Sequence, residues 1–158
     1  CGPTSSQRAG GSHAHNDQLG IELAIDGEDW IADPGSYLYC PPEARRNAWR
    51  SVEAHAAPQW GKREPSRLDF GVFRLADQTR ARCIYFGEHG FAGEHWGFGV
   101  QVRRFGMLKD DGIIIRDVGL PQAPSTTLCE GRESARRLFR PSVPFSPAYG
   151  KLRAGDAA

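Results

Sequence analysis

Apolar and polar residues alternate over several short stretches of this chain, and turn-forming residues separate them about every ten positions. The clearest stretch is residues 19–25, where Leu or Ile occupies every second position. An Asp-Gly pair follows, and residues 30–33 resume an extended pattern that Pro34-Gly35 ends, so the sequence predicts a β-hairpin. Residues 96–108 and 113–118, on either side of an Asp-Asp-Gly turn, predict a second hairpin.

The rest of the chain is also mostly strand-like in pattern. Strand-forming residues occupy 68–75 and 81–86, whereas residues 87–93 break the pattern. Residues 43–53 are the one stretch with a helical composition, and residues 56–67 predict a long surface loop. These short strands and frequent turns are typical of antiparallel sheets rather than of alternating strands and helices.

We therefore predict an all-β fold, an antiparallel β-sandwich of two packed sheets with little helix. One domain covers residues 1–150 and begins with a polar, Gly-rich entry loop over residues 1–11. Residues 139–149 carry three prolines and form either an edge strand or a docking tail, and residues 151–158 are expected to be a frayed tail. Alternation places these residues on the inner faces of the sheets: Leu19, Ile21, Leu23, Ile25, Trp30, Val100, Val102, Ile113 and Ile115.

Composition narrows the possible functions. The 158 residues are 39% hydrophobic, enough for the core of one domain, and no run approaches the 18 or so apolar residues of a membrane span. The 17 arginines and 3 lysines leave a net charge of only +1, which argues against nucleic acid as a partner. Arginine suits the carboxylates and sulfates of an acidic glycan, although a high arginine content also arises from genomic base composition. Four widely spaced cysteines indicate neither a zinc knuckle nor a disulfide framework.

Candidate metal ligands lie just before the first predicted strand. In an extended segment His13, His15 and Asp17 share one face, and imidazole and carboxylate groups on a β scaffold bind zinc, copper, iron or nickel. A further ligand could come from Asp33 or from His55. The alternative is a solvated loop with incidental histidines, because a lone His-x-His pair is common.

The predicted hairpin restricts this site. A straight hairpin places Asp33 opposite Glu22, and the strand from there back to His15 spans roughly 23 Å. A shared metal therefore requires residues 13–17 to fold back as a loop, which nearby glycines would allow.

Three ordered blocks in the first third of the chain resemble the C-terminal β-sandwich domain of the heparinase II/III-like polysaccharide lyases. The first is Gly-Ser-His-Ala-His-Asn-Asp-Gln-Leu at residues 11–19, and the second is Asp-Trp-Ile-Ala-Asp-Pro-Gly-Ser-Tyr at residues 29–37. The third has Arg-Asn, Arg-Ser and Ala-His within residues 46–55. Three blocks in order are much more specific than any one of them.

The resemblance implies a bound zinc ion with His15, Asp33 and His55 as its ligands. One departure from the family concerns the last of these. Family members commonly read Ala-His-Asn-Thr, whereas this chain reads Ala-His-Ala-Ala at residues 54–57. The Asn that would support His55 is therefore missing.

The resemblance also implies a reaction, β-elimination at a uronic acid. A proton is taken from the carbon next to the carboxylate, and the glycosidic oxygen on the neighbouring carbon leaves. His13 would face the substrate cleft, where an imidazole can act near neutral pH as the base or as a stabilising donor. Tyr37 and Tyr39, just after Asp-Pro-Gly, are weaker candidates for a catalytic acid or a substrate contact.

The family places further catalytic residues in an N-terminal helical toroid, which the present sequence does not include. We therefore expect the chain to be either a relic or a part of a longer bacterial enzyme that cleaves an acidic polysaccharide, such as a glycosaminoglycan or alginate. In both cases we expect the isolated chain to be inactive. No targeting signal is visible from Cys1 onward, and we expect a periplasmic or secreted location.

Two other functions remain open from the sequence. The same residues would support a non-catalytic carbohydrate-binding or scaffold domain with a structural zinc, for which a closed four-ligand site is typical. A cupin-type metal enzyme also carries His-x-His on a β scaffold. The spacing argues against a cupin, because its Glu should follow within three or four residues and Glu22 is farther away.

Overall fold

The computed structural model describes residues 10–40, 42–76, 78–121 and 126–153. The predicted entry loop over residues 1–11 and the end of the predicted tail lie largely outside these residues. The described part is mostly antiparallel sheet, so the predicted all-β class with little helix is confirmed. In chain order the elements are β1 (Leu23–Ile25), β2 (Glu28–Ile31), α1 (Glu43–Arg50), a 3₁₀ turn (Val52–Ala54), β3 (Arg82–Gly87), β4 (Gly90–His95), β5 (Val102–Lys109), β6 (Gly112–Val118), β7 (Thr127–Glu130) and α2 (Gly131–Leu138).

The first predicted hairpin is present but shorter than expected. Ile25 pairs with Glu28 across a two-residue turn, in which Asp26 and Gly27 have φ of 52° and 78°. A turn with two positive φ values favours Asp-Gly, so the sequence signal at this turn was correct. Residues 19–22, however, are not in a strand, since β1 begins only at Leu23.

The second sheet has five strands in the order β3-β4-β5-β6-β7, each antiparallel to its neighbour. The predicted hairpin around Asp110-Asp111 is confirmed, with Lys109 paired to Gly112. Two boundaries differ from the prediction. Residues 90–95 form β4 instead of a break, and residues 96–101 form a turn and bend instead of the start of a strand.

The hydrophobic core lies between the two sheets. β1, β2 and α2 cover one face of the five-stranded sheet, and the most buried residues there are Ile31, Ile113, Ile115, Cys129 and Ala135. Seven of the nine predicted inner residues either pack into or against this region or are buried elsewhere. The other two, Val100 and Ile25, are not fully buried. Val100 is 39% exposed because it lies in the bend before β5, and Ile25 is only half-buried at the end of its hairpin.

The predicted strand over residues 68–75 is wrong, because buried arginines on α1 hold this segment as a loop. Arg46 Nε and Arg50 Nη1 both donate to the carbonyl of Val72, at 2.9 and 2.8 Å. Arg50 Nη2 donates to the carbonyl of Arg74 at 3.2 Å. Carbonyls that accept from guanidinium groups in this way are not available to a neighbouring strand.

The chain after residue 120 contains two elements that the sequence pattern did not reveal, β7 and α2. The segment that follows, residues 139–153, is a docking tail, which was one of the two predicted possibilities. Its backbone bonds to three earlier positions: Ser142 N donates to Glu53, Ser146 N to Pro34 and Gly150 N to Tyr37. None of the helices in the described residues is long and apolar enough to cross a membrane.

A buried ion pair attaches the five-stranded sheet to the loops in front of it. Arg104 makes two parallel bonds to the Asp117 carboxylate, at 2.7 and 2.8 Å. Its Nη1 also donates to the carbonyls of Leu19 and Ala56, at 3.1 and 2.5 Å. Since these residues belong to the two loops that carry the buried histidines, the sheet fixes the position of both loops.

His95, at the end of β4, is a buried histidine outside those loops. It is 1% exposed, its Nδ1 accepts from the backbone N–H of Gly97 at 3.1 Å, and its ring lies against Phe98. Burial and the charge of Arg104 lower the pKa of His95 to about 4. The folded protein therefore holds this imidazole neutral at pH values where an unfolded chain would protonate it.

We expect His95 to make the fold sensitive to mild acid. Between pH 6.5 and about pH 4 the unfolded chain binds a proton at His95 that the folded protein does not bind. The free energy of unfolding is therefore unaffected by protonation of His95 above pH 6.5 and decreases as the pH falls below it. Over that window the loss is about 3 kcal/mol in the free energy of unfolding. In His95→Asn, which keeps an acceptor for Gly97, the loss measured by urea unfolding between pH 7 and pH 4.5 should be smaller by about 2.5 kcal/mol, because these conditions cover about two pH units of that window. Equal losses in the two proteins would contradict this assignment.

Candidate functional site

The structure brings together the three side chains predicted as metal ligands. His55 Nδ1 donates to Asp33 Oδ2 at 2.6 Å, and the ring of His15 lies 5.1 Å from that of His55, centroid to centroid. Both histidines are buried, and the Nε2 atom of His15 lies 3.2 Å from the hydroxyl of Ser36. We call His15, Asp33 and His55 the histidine cluster.

Loop structure before β1 makes this meeting possible. Residues 13–22 turn back on themselves: Ala14 N donates to Gly11 at 3.1 Å and Gly20 N to Asp17 at 2.7 Å. The backbone of Asn16 then bonds to Arg50, and that of Ile21 to Ala56. The condition that residues 13–17 fold back as a loop is therefore met, and the extended arrangement of His13, His15 and Asp17 is wrong.

The Asp-Pro-Gly turn after β2 orients the side chain of Asp33 toward His55. Asp33 Oδ1 accepts from the backbone N–H of Gly35 at 2.8 Å, which leaves Oδ2 for His55. Gly35 has a φ of 76°, and a Cβ at this position would lie 2.6 Å from the carbonyl oxygen of Ser146 in the docking tail. A glycine is therefore needed here both for the turn and for the close approach of the tail.

Glu64 is a supporting residue that sequence reasoning missed. Its carboxylate accepts from Asn16 Nδ2 at 2.7 Å, from Ser51 Oγ at 2.5 Å and from the backbone N–H of Val52 at 3.0 Å. Asn16 adjoins one cluster histidine in the chain, and Ser51 and Val52 precede the other. Glu64 thus joins the two histidine loops. Asn16 and Ser51 belong to the motif blocks, but no pattern in residues 56–67 singled out Glu64.

Electrostatics hold His15 and Asp33 in the protonation states that a metal ligand needs. Burial, followed by the charge of His55, lowers the pKa of His15 to about 3, so its imidazole is neutral near pH 7. Burial opposes ionisation of Asp33, but the hydrogen bond from His55 and its charge outweigh this and lower the pKa of that carboxyl. Asp17 interacts with both His55 and Asp33, and burial raises the pKa of its carboxyl.

His13 lies outside the cluster and is exposed. Its ring is 5.6 Å from that of Tyr39, which in turn contacts Phe73 at 5.6 Å and Tyr149 at 5.8 Å. Tyr39, Phe73 and Tyr149 are 47%, 36% and 60% exposed, so they form an open aromatic surface beside the imidazole. We call these three residues the aromatic platform.

The two tyrosines predicted as catalytic candidates have different neighbours, and Tyr39 is stacked beside His13. Tyr37 packs against Trp49, with ring centroids 5.0 Å apart, and its hydroxyl accepts from Arg45 at 3.3 Å. Its φ is 54°, a conformation that non-glycine residues adopt only when their surroundings enforce it. Tyr37 therefore packs against α1, whereas Tyr39 lies beside His13.

The histidine cluster fits a zinc ion in donor type and burial, because imidazole nitrogens and a carboxylate are common zinc ligands. The Nε2 atom of His55 is buried and has no hydrogen-bond partner, an unsatisfied position that a ligand would relieve. The donor atoms are nevertheless not gathered around one point. Within residues 10–40, 42–76, 78–121 and 126–153, no group of three His, Cys, Asp or Glu side chains is already arranged to hold a metal.

Comparison with known proteins identifies the family. The model of the heparinase II/III-like C-terminal domain matches residues 1–148, a stretch that includes the histidine cluster, His13 and Tyr39. Comparisons with curated proteins and with solved structures gave no match. Because the family model covers nearly the whole chain, the protein belongs to the heparinase II/III-like C-terminal domain family.

Proposed function

We propose that this chain is the zinc-binding part of a polysaccharide lyase that cleaves uronate-containing acidic glycans by β-elimination. The observation that carries the proposal is the buried histidine cluster with an exposed histidine and an aromatic platform beside it. The chain would act within a longer protein whose helical domain completes the active site, and its polymeric substrate suggests a periplasmic or secreted location.

His15, Asp33 and His55 would hold the zinc. When bound, zinc supplies a Lewis-acidic positive charge and ties together three segments that are distant in sequence. The Asn that follows this histidine in other family members is not needed to orient His55. Asp33, together with the loops held by Glu64, already limits the position of its imidazole.

His13 would act on the substrate. In β-elimination the base removes the proton from the carbon next to the uronate carboxylate, the electron pair forms a carbon–carbon double bond, and the bond to the glycosidic oxygen breaks. The departing oxygen takes a proton from an acid. An exposed imidazole beside a tyrosine hydroxyl supplies groups able to exchange protons at both ends of this reaction, with Tyr39 as the neighbouring hydroxyl.

The aromatic platform supports a carbohydrate as the substrate. Open aromatic faces bury the apolar C–H face of a sugar ring at little conformational entropy cost, and here they adjoin the candidate proton-transfer group. A domain with a structural zinc alone would not require exposed aromatic rings at this place.

The test is the product formed by the full-length protein from a uronate polysaccharide. A lyase produces an unsaturated sugar that absorbs in the near ultraviolet, and the isolated 158-residue chain should produce none. Release of saturated ends would instead indicate hydrolysis, and binding without cleavage would indicate a carbohydrate-binding domain.

A further inference from the structure

A concave surface lies between β2, the end of α2 and the docking tail. It is a groove of about 460 Å³ whose lining includes Arg136, Arg137, Arg140 and Arg153. All four arginines are exposed. We call this surface the arginine groove.

The charges in the arginine groove are not balanced within the described residues. Four guanidinium groups against one lining carboxylate, Asp29, leave a net charge of +3. No carboxylate of residues 10–40, 42–76, 78–121 or 126–153 lies within ion-pair distance of any of the four. The neighbouring Arg132, by contrast, pairs with Glu28 at 2.6 Å. Several guanidinium groups that line one concavity without ion-pair partners favour an anionic ligand.

Aromatic side chains form part of the same walls. Trp30, Phe139 and Phe145 line the groove, and the guanidinium of Arg153 lies 5.4 Å above the ring of Phe145. Guanidinium groups next to aromatic rings match a ligand that carries anionic substituents on rings with apolar faces. A sulfated or carboxylated saccharide has both properties. Nucleic acid does as well, but a chain with a net charge of +1 and a pI of about 7.9 lacks the overall basic surface that nucleic-acid binding requires.

The arginine groove also lies beside the histidine cluster along the chain. Its lining residues Ile31 and Ala32 immediately precede Asp33, and Ser146 of the docking tail bonds to Pro34. Consecutive Cα atoms are about 3.8 Å apart, so the rim of the groove is one residue from the cluster. Tyr149 of the aromatic platform is four residues from both Phe145 and Arg153 of the groove, at most about 14 Å along the chain. A polymer of several sugars bound at the platform is therefore long enough to reach the groove.

We propose that the arginine groove is a second binding site for the anionic polysaccharide, holding sugar residues outside the point of cleavage through guanidinium contacts with sulfate or carboxylate groups. The choice of a polysaccharide rests in part on the proposed lyase function, but groove binding requires neither zinc nor turnover. The site would increase affinity for long chains more than for short ones, since only long chains reach both places.

The test is calorimetric binding of two probes, a heparin hexasaccharide and a hexamer of galacturonate, to the 158-residue chain and to Arg137→Gln/Arg140→Gln. The double variant should bind at least one probe about tenfold more weakly, the effect of losing one charge-assisted hydrogen bond. The matched control is Lys109→Gln/Arg116→Gln, which removes the same charge from exposed positions outside the groove and should retain the wild-type affinity.

Three results would overturn the inference: no measurable binding of either probe, equal weakening in both double variants, or tighter binding of a single-stranded RNA decamer that depends on the same two arginines. Measuring the zinc content of each protein distinguishes failure of the groove inference from failure of the proposed lyase function. If the groove inference alone is wrong, the wild type still binds zinc and the full-length enzyme still releases unsaturated product. If the lyase proposal alone is wrong, saccharide affinity still depends on the groove arginines.

Discussion

Protein purified without chelators should contain one zinc ion per chain, and His15→Ala should lose it. The imidazole of His15 is buried and neutral beside His55. Its removal takes away a zinc ligand and leaves a cavity lined by polar groups. Because zinc would bind only the folded chain, it should raise the free energy of unfolding of the wild type by about 4 kcal/mol over the zinc-free protein when free zinc is about 1,000 times its Kd. Elemental analysis and thermal unfolding with and without chelator measure the two effects.

His13→Ala is the matched control for that experiment, because His13 is exposed and lies two residues from His15 in the same loop. It should retain stoichiometric zinc and the wild-type melting temperature. Protein without stoichiometric zinc, or loss of zinc from both variants, would mean that the histidine cluster is a hydrogen-bonded structural network and not a metal site.

Turnover by the full-length enzyme should fall by about 10²–10⁴-fold in kcat when His13 is replaced with Ala, the usual contribution of a positioned acid or base. The reason is its location: His13 is exposed next to Tyr39 and the aromatic platform, whereas the other histidines of this site are buried. Release of the unsaturated product, followed by near-ultraviolet absorbance, measures the loss. KM should change much less, because the aromatic platform, which we propose contacts the sugar, is intact.

His89→Ala is the control for this loss. Its side chain is 83% exposed in the turn between β3 and β4 and belongs to neither the cluster nor the platform. It should leave kcat unchanged. Nearly full activity in His13→Ala would show that another group transfers the proton, and an equal loss in both variants would indicate a general effect on the fold.

Local sequence signals determined the parts of the fold that short-range physics controls. The Asp26-Gly27 pair specified a hairpin because few other residues adopt two positive φ values in succession, and Asp110-Asp111 marked the second hairpin. Alternation correctly identified Val102, Ile113 and Ile115 as buried. It failed at Val100, where the chain bends and the period of two no longer applies.

The motif blocks likewise identified the residues of the histidine cluster but not how they meet. The blocks named His15, Asp33 and His55, and all three are brought together. An ideal hairpin would have kept His15 far from Asp33. The loop that folds back over residues 13–22 depends on hydrogen bonds to Arg50 and Ala56, which are more than 30 residues away in the chain.

Only the tertiary structure decided the roles of the buried charged residues. Arg46 and Arg50 look from sequence like surface positions of a short polar helix, yet they are 2% and 0% exposed and turn a predicted strand into a loop. Glu64 in an unpatterned loop joins the two histidine segments, and Arg104 fastens both segments to the sheet. A polar side chain shows no periodicity that reveals its partner, because the partner is set by long-range packing. The sequence alone therefore determined the two hairpins and the identity of the three clustered residues, whereas long-range hydrogen bonds to buried charges decided how those residues are brought into contact.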